Sequence, residues 1–486
     1  MSRTLLWYRT DLRIHDHEAL HRALLSHSLP IPYYCVDPRH FGSTSFGFPK
    51  TGSFRAQFLL ESITDLRHSL RQRGSDLIVE SGLPEVMIPK IVQELHIETI
   101  TWSVATTAEE LAVENAVKQA LLPLHRKIQT YWDTTLLHPE DLSFTLDSTP
   151  ELFTHFRKRI QRDGMVRPCW PTPSQLPSLV DRVGGELPTL EDWGLPIPQP
   201  DSRRVLPFCG GETTGLQRLN DYIWRGDRLR SYKETRNNML NPDDSTKFSP
   251  WLSYGCLSPR YIAAEVTTYE QERVKNDSTY WLIFELWWRD YFRFMSVKHG
   301  NNLFKLGGLQ QLRLPWKQDW QRFEQWCQGY TGFPLVDAAM RELRVTGWIS
   351  NRGRQNVASF LTKNLGIDWR MGAEWFESVL IDYDVCSNWG NWNYTAGVGN
   401  DGRGFRWFNI TKQSKDYDPQ GDYLRYWLPE LASLPAAYIH EPSKLTQEQQ
   451  LRYGVRIGLH YPKPIVDLFA SAKANERHYE STGAIH

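Results

Sequence analysis

One short stretch, residues 382–394, carries the densest set of side chains that could do chemistry. It reads DYDVCSNWGNWNY, so two carboxylates are followed by three amides, with indoles and a phenol between them. Trp and Tyr offer large apolar faces with a polar handle, and Gly390 would let the backbone turn sharply or approach another group closely. This composition favours a site for a flat heteroaromatic ligand edged with donors and acceptors. A buried loop with hydrogen-bonded Asn and Asp side chains is the alternative.

Two further segments place polar groups within helical patterns. Residues 243–250 read DDSTKFSP, where hydroxyls shortly before a proline predict the capped start of a helix. Such a start would hold phosphates. In residues 281–295, Glu285, Trp288 and Arg289 are spaced to share one helix face, and charges there are costly to bury unless they are paired or meet a cavity. A plain capped helix and a structural ion pair are the alternatives.

A basic turn lies inside residues 331–370, whose apolar spacing predicts two packed helices. The turn reads NRGR at 351–354, so two arginines stand beside an amide. Arg354 is a candidate to neutralise Asp382 or a reduced, anionic ring. A surface turn with solvated charge is the alternative.

The first 132 residues alternate short apolar runs with helical patterns. Strands are predicted at 4–8, 30–36, 76–80, 97–104 and 127–132, and helices at 17–27, 53–73, 84–95 and 108–122. This alternation predicts βαβ units and an α/β domain with a doubly wound parallel sheet over residues 1–132. No GxGxxG motif follows the first strand, so the standard dinucleotide fingerprint is missing from the sequence.

The rest of the chain divides into a linker and a mostly helical domain. Prolines crowd residues 168–200, which predicts an irregular linker within 133–205. Strand signals are scarce afterwards, so 206–486 is predicted to be a larger all-α domain that ends in a polar, weakly periodic tail at 420–486. Its predicted helices are 213–225, 260–275, 280–298, 323–328, 334–346, 352–364 and 374–381.

Composition narrows the classes of protein that fit. No apolar run reaches transmembrane length, and charge comes too early in the chain for a signal peptide. The six cysteines form no CxxC pair, which favours a reducing, cytoplasmic location and argues against a zinc cluster. The net charge is zero, so DNA contact would need a local basic patch. The 20 Trp exceed what an ordinary core needs, and they predict either a Trp-rich core or indoles with redox or stacking roles.

Several of these segments resemble the photolyase/cryptochrome flavoprotein family. The matching runs are WYRTDLRIHDHEAL at 7–20, TGFPLVDAAMRELRVTGWISNRGR at 331–354, DYDVCSNWGNWNY at 382–394 and FNITKQSKDYDP at 408–419. The run NRGRQNVASFLTK at 351–363, the run GVGNDGR at 397–403, and Tyr394 in place of a family Trp are similar to the cryptochrome DASH branch. The resemblance implies a photolyase-like α/β domain, a linker and a helical domain that holds FAD.

The resemblance also implies roles for individual residues. Asn388 would lie at the flavin N5 and set how readily that atom is protonated, while Glu285 would line the cavity. Trp392, Trp369 and Trp316 would pass an electron from the surface to the photoexcited flavin, Trp392 being nearest. The implied FAD-binding residues are Tyr232, Ser245, Thr246, Lys247, Phe248, Ser249, Arg289, Asn351, Arg354, Asp382, Asp384 and Asn388.

Some positions depart from the family pattern. Trp288 and Tyr394 match two aromatics that sandwich a flipped pyrimidine dimer, but Tyr offers less stacking area than Trp. Because flipping a base from a duplex costs energy, duplex lesions are expected to be poor substrates. Residues 106–110, TTAEE, resemble the segment that binds a 5,10-methenyltetrahydrofolate antenna, which makes this folate an expected second chromophore. His17 stands where the family commonly has Asn.

DNA is the expected partner, bound largely through phosphates and without sequence preference. Ordinary solvated charge is the alternative reading of the basic residues. Two functions stay open. One is an FAD-dependent blue-light photoreceptor that binds DNA and regulates transcription. The other is a light-driven photolyase that splits cyclobutane pyrimidine dimers in single-stranded DNA. The expected DNA patch comprises Arg225, Arg228, Arg230, Arg344, Arg352, Arg403, Arg406 and Lys412.

Overall fold

The N-terminal part of the computed structural model is built on one parallel sheet. The structure describes residues 2–179, 184–401 and 405–481. Five strands lie in the order β3-β2-β1-β4-β5, and every neighbouring pair is parallel. The strands are β1 (Arg3–Tyr8), β2 (Leu29–Val36), β3 (Ile78–Ser81), β4 (Thr99–Ser103) and β5 (Lys127–Tyr131).

Helices cover both faces of this sheet. They are α1 (Glu18–Leu25), α2 (Ser53–Gln72), α3 (Pro84–Glu94) and α4 (Ala108–Leu121). Because successive strand residues point to opposite faces, Leu6 and Tyr8 pack in the core with α1 and α2, whereas Leu5 and Trp7 pack in the core with α3 and α4. The predicted doubly wound α/β arrangement is therefore confirmed.

Helices dominate the chain after the sheet, as predicted. No helix among residues 2–179, 184–401 and 405–481 is long and apolar enough to cross a membrane. Two π-helical segments, Asp221–Arg225 and Phe360–Asn364, extend α6 and α13. The helices are α5 (Phe153–Asp163), α6 (Glu212–Asn220), α7 (Tyr232–Thr235), α8 (Ser249–Ser253), α9 (Pro259–Glu272), α10 (Asp277–His299), α11 (Trp320–Gln328), α12 (Pro334–Thr346), α13 (Asn351–Ser359), α14 (Trp369–Val379), α15 (Val385–Ala396), α16 (Ile410–Tyr417), α17 (Asp422–Trp427), α18 (Ala436–Ile439), α19 (Gln447–Tyr453) and α20 (Leu468–Ser481).

Some of these helices were missed by the sequence prediction. The regular helix α5 lies inside the predicted linker, α15 occupies most of 382–394 where a loop was one alternative, and α17 to α20 fold in the predicted tail. In α15, the residues Asn, Gly and Trp have modest helix propensity, so packing against α10 and α14 has to stabilise it. Helix α20 buries only a narrow stripe, which includes Leu468 and Tyr479.

A buried ionic network joins the sheet domain to the helical domain. Arg260 on α9 donates to Asp16 at 2.8 and 2.9 Å and to Asp133 at 2.6 Å. Arg13 lies 3.3 Å from the other oxygen of Asp133. All four side chains are at most 3% exposed, so each charge depends on the others for compensation.

The first prediction concerns this network. Replacing Arg260 by Met should destabilise the protein by about 3–5 kcal/mol, because two buried carboxylates lose their main counter-charge. Urea denaturation followed by circular dichroism measures the loss. As a control, Arg225→Met removes an exposed ion pair with Asp221 and should leave the urea midpoint nearly unchanged. Equal shifts in the two variants would show that burial of the network is unimportant.

Candidate functional site

A cavity of about 570 Å³ opens between the helices that carry the predicted site residues. Its wall is formed by α7, the segment before α8, α10, the start of α13, and α14 and α15. The structure brings together in this wall every residue that the sequence predicted to bind the cofactor. They are Tyr232, Ser245, Thr246, Lys247, Phe248, Ser249, Arg289, Asn351, Arg354, Asp382, Asp384 and Asn388.

One end of the cavity holds a buried cation. Lys247 is only 5% exposed and has a left-handed backbone with φ of 54°. Its Nζ donates to the Asn241 carbonyl at 2.9 Å and lies 5.3 Å from the ring of Trp348. Burial, reinforced by the charge of Arg218, lowers the pKa of Lys247 to about 8. A cation held in such surroundings gains from an anionic ligand.

The predicted hydroxyl cap beside Lys247 is wrong. Helix α8 begins at Ser249, its N-cap residue is Phe248, and no side chain caps it. The Ser249 hydroxyl instead donates to Asp382 at 2.6 Å. The side chain therefore connects two walls of the cavity instead of closing a helix end.

Another part of the cavity wall contains the predicted ion pair. Arg354 donates to the two carboxylate oxygens of Asp382 at 2.8 and 3.0 Å, which confirms this pairing. Asp384 caps α15 through the Ser387 amide and pairs with Arg293 at 3.0 Å. Burial raises the pKa of Asp384, but Arg293 and Arg289 outweigh it and the net shift is downward. This part of the wall therefore holds two carboxylates, each paired with an arginine.

Close packing of α15 against α10 and α14 brings its polar side chains into the cavity wall. Gly390 faces α10, where a Cβ atom would stand 2.2 Å from the ring of Phe292. The close approach that the sequence suggested thus occurs inside a helix and not at a turn. Asn388, one helical turn from Asp384, donates to the Ala373 carbonyl at 3.0 Å. The acceptor oxygen of its amide is then free to meet a ligand.

The three residues predicted to share a face of α10 all line the cavity. Glu285 pairs with Arg236 on the neighbouring segment and not with Arg289. Burial raises the pKa of Glu285 in spite of that partner. Arg289 donates to the Leu252 and Thr134 carbonyls, and burial together with Arg293 lowers its pKa to about 10. The structure thus places a carboxyl whose pKa is raised one helical turn from an arginine that, among the described residues, forms no ion pair with a carboxylate.

Trp288 and Tyr394, which match the two aromatics that sandwich a flipped dimer, form a corner in this structure. Trp288 stacks flat on Phe153 of α5, with ring centroids 3.6 Å apart and planes at 11°. Tyr394 meets Trp288 edge-on at 5.9 Å and 82°. Both rings line the cavity, so a planar ligand bound there could contact the two of them.

Of the three tryptophans of the implied electron route, Trp392 lies in the cavity wall, and Trp369 and Trp316 lie outside the lining. Trp392 is in the cavity wall and rests on Gly372 of α14, where a Cβ atom would stand 2.2 Å from its ring. Trp369 begins the same helix, is fully buried and donates to the Leu306 carbonyl at 3.0 Å. Trp316 is half-buried beside the turn at Gly366.

Two residues of the expected DNA patch, Arg352 and Arg406, lie close together. Arg352 and Arg406, together with Arg236, lie close enough for their charges to act on one another. Burial and these two neighbours lower the pKa of Arg352, whose guanidinium stacks 4.1 Å from the ring of Tyr417 and donates to Asn237. Since Arg236 and Arg406 also line the cavity, the three arginines form a cationic group at its mouth. We call these three residues the mouth arginines.

The other members of the patch are arranged differently. Arg225, Arg228, Arg230 and Lys412 each pair with an aspartate on the same surface, so much of their charge is neutralised. Arg344 is exposed on α12, and Arg403 lies outside the described residues.

Sequence reasoning missed several residues of the cavity wall. Arg236 follows Tyr232 by one helical turn, which is a signal that could have found it. Trp348 and Lys363 lie at the ends of apolar runs and read as core residues, so no local pattern marks them. Among the described residues, no group of three or more His, Cys, Asp or Glu side chains could hold a metal ion. The missed residues are Arg236, Asn237, Trp348, Gln355 and Lys363.

Comparison with known proteins identifies the class. A family model described as DNA photolyase matches residues 4–177, and one described as the FAD binding domain of DNA photolyase matches residues 281–481. This chain is 60% identical to the cryptochrome DASH of Gloeobacter violaceus over 99% of this chain and 96% of that protein. The chain therefore belongs to the photolyase/cryptochrome family and, within it, to the cryptochrome DASH flavoproteins.

Solved structures agree with this assignment. The cryptochrome of Synechocystis sp. PCC6803 matches with a TM-score of 0.96 and 55% identity, over 98% of this chain and 99% of that one. An archaeal photolyase from Sulfolobus tokodaii, solved with two FAD molecules, matches with a TM-score of 0.80 and 26% identity, over 99% of this chain and all (100%) of that one.

The described cavity fits FAD by the chemistry of its donors. The incompletely compensated Lys247 and the hydroxyls beside it suit the diphosphate of the cofactor. The Arg354–Asp382 pair and the free amide oxygen of Asn388 suit the polar edge of its ring. The cavity volume also lies in the range usual for ligand sites of proteins.

The second prediction follows from Lys247. Lys247 binds a phosphate strongly only when its amine is protonated, and its pKa is about 8. As pH rises above that value, the affinity of the apoprotein for FAD should fall, approaching tenfold per pH unit. Fluorescence titration with FAD at a series of pH values measures this. Lys247→Met should bind FAD weakly and with a flat profile in that window. Lys233→Met, which alters an outer lysine paired with Asp277, should behave as wild type. A wild-type profile in Lys247→Met would contradict the assignment.

Proposed function

We propose that this protein is an FAD-dependent blue-light photoreceptor of the cryptochrome DASH type that binds DNA and regulates transcription. One observation carries the proposal. One cavity is lined by the buried cation Lys247, by the Arg354–Asp382 pair and by Trp392. Two of the mouth arginines and the aromatic corner line the same cavity. The six free cysteines support a reducing, cytoplasmic location.

Bound FAD supplies the absorption of blue light and one-electron chemistry. The residues of the chain bind and orient it: Lys247 neutralises the diphosphate, and Arg354 holds Asp382 against the ring edge. Asn388 is fixed by its bond to Ala373 and presents an amide oxygen, not a proton donor, to the ring. Trp392 supplies an electron from the wall, with Trp369 and Trp316 behind it.

The third prediction tests the electron supply. Trp392→Phe should retain FAD but lose most of its photoreduction under blue light, because Phe keeps the packing on Gly372 and is far harder to oxidise than an indole. Absorption spectroscopy under illumination measures this. Trp102→Phe, a buried indole of the N-terminal sheet, is the matched control and should photoreduce normally. Normal photoreduction in Trp392→Phe would remove this residue from the path.

DNA binding is proposed to begin at the mouth arginines. Arg236 pairs with Glu285, whereas among the described residues Arg352 and Arg406 are held by amide and aromatic partners and not by carboxylates. Unneutralised guanidinium groups are suited to phosphates. Because phosphate contacts carry no sequence information, binding should be strong at low salt and nearly independent of sequence.

A light-driven photolyase acting on single-stranded DNA is the second candidate. The corner of Trp288 and Tyr394 favours this function, since both rings line the cavity, where an unpaired base could contact them. Glu285, whose pKa is raised by burial, stands beside that corner and can share a proton with a base. The narrower ring of Tyr394 offers little to offset the cost of flipping a base from a duplex.

The fourth prediction separates the two functions. Arg406→Ala should weaken binding to all oligonucleotides alike and reduce the slope of log affinity against log salt by about one. Fluorescence anisotropy measures it, with Arg71→Ala on α2 as the control outside the mouth. The reduced protein is then illuminated with dimer-containing oligonucleotides. Lesion loss in single strands would establish the photolyase, and Tyr394→Trp should then improve use of duplexes. Salt-sensitive binding without lesion loss would favour the photoreceptor.

A folate antenna is proposed to bind beside Glu109, where the sheet domain meets α14. We call this region the crevice. Glu109 pairs there with Lys50, and the charges of both residues act on Glu377. Arg55 lies 4.7 Å from the ring of Tyr383, which also lines the large cavity. The crevice therefore offers polar groups for a pterin next to the proposed FAD site. Near-ultraviolet absorption beyond that of FAD in the purified protein would support 5,10-methenyltetrahydrofolate.

A further inference from the structure

A second row of indoles leaves the cavity in a different direction from Trp369 and Trp316. The ring of Trp392 contacts Trp326 of α11, with centroids 6.3 Å apart and planes at 71°. Trp326 is fully buried, and its Nε1 donates to the Val357 carbonyl at 3.0 Å. The indole in the cavity wall thus has a direct aromatic neighbour that the family motifs did not mark.

The row continues along one face of α11. Trp320, Phe323 and Trp326 follow each other at three-residue spacing, so they lie on the same side of the helix. The Phe323 ring lies 5.6 Å from Trp326 and 5.9 Å from Trp320. Trp320 is 47% exposed and ends the row at the surface, between Phe46 and Phe48. Aromatic rings in contact therefore connect the cavity wall to solvent.

We propose that Trp326 and Trp320 form a second electron route between the surface and the cavity, parallel to Trp369 and Trp316. The proposal rests on the proposed function, because it needs a ring in the cavity that becomes an oxidant in light. Trp392 is common to both routes, and the branch point lies where it touches α11.

The electron count is simple. Trp392 gives one electron to light-excited FAD. Trp326 then gives one electron to the oxidised Trp392, and Trp320 gives one electron to the oxidised Trp326 across the ring of Phe323. Trp320 is left oxidised by one electron and releases its indole N–H proton to water. A thiol in solution then returns one electron and one proton to Trp320. The ring of Phe323 lies between the two indoles and is not oxidised.

The surroundings of the two outer indoles favour Trp320 as an end point. Trp320 is exposed, so water stabilises its positive charge and accepts its proton. The neighbouring carboxylate of Asp319, about one-third (33%) exposed, is partly neutralised by Arg322 at 3.7 Å, so exposure to water is what distinguishes Trp320. Trp316 is half-buried, and its Nε1 is buried without a hydrogen-bond partner in the described part of the chain. A charge on Trp316 is therefore less well solvated.

The test compares single and double variants of the FAD-loaded protein. Trp316→Phe should keep a long-lived tryptophan radical and much of the photoreduction, because the route through Trp326 remains. Trp320→Phe alone should also keep both signals, through Trp316. The double variant should lose most of both. Transient absorption and steady-state photoreduction are measured, with Trp193→Phe, a half-buried indole stacked on Phe41, as the control.

A second readout identifies the residue directly. Illumination with a radical-trapping nitroso compound, followed by peptide mass spectrometry, should place an adduct on Trp320 in wild type and none at that position in Trp320→Phe. The proposal is overturned if Trp316→Phe alone abolishes both signals at full FAD content, or if the double variant equals Trp316→Phe and no adduct forms on Trp320. If the wild type binds no FAD or shows no photoreduction, the proposed function itself fails and the route fails with it.

Discussion

The mutual compensation of Arg260, Asp16, Asp133 and Arg13 is the interaction on which the arrangement of the two domains depends. Each group would cost several kcal/mol if buried alone, so the four are stable only when the segments that carry them meet in one geometry. The network therefore fixes the relative positions of three segments. They are the loop after β1, the residues that follow β5 and the start of α9. The carboxyl edge of the sheet, where such folds commonly bind ligands, is used here to hold a second domain.

The same constraint reaches the cavity. Arg13 donates to the Gly255 carbonyl at 3.1 Å, and the Leu12 amide donates to Tyr254 at 3.1 Å. Gly255 is required at this contact, since its φ is 66° and a Cβ atom would stand 2.1 Å from the Thr10 carbonyl. These bonds hold the segment that begins with Ser249, so one wall of the cavity is positioned by the N-terminal domain. The walls from α13, α14 and α15 are positioned by their own apolar core.

Sequence reasoning reached the fold and the cavity lining through different signals, and both had limits. The alternation of strands and helices in 1–132 depends on local periodicity, so it could be read directly. Helix α15 could not, because its Asn-, Gly- and Trp-rich sequence has little helical preference and its stability comes from residues far along the chain, such as Phe292. The pairing of Glu285 with Arg236 and the stacking of Phe153 on Trp288 join distant segments, and no spacing in the sequence indicates either.

The charges of the cavity are arranged for an occupant and at a cost to the protein alone. Lys247 is buried in a strained left-handed backbone, and burial shifts the pKa of Lys247 and Arg289 down and that of Glu285 up, each toward the uncharged form. A site built only for stability would replace such groups by apolar ones. An anionic, ring-bearing ligand offsets the penalties at Lys247 and Arg289 where it binds, so part of its binding free energy appears as stability of the fold. The holoprotein should therefore owe the order of its cavity walls to the cofactor as well as to the apolar core, and these two cations make the site selective for an anionic ligand.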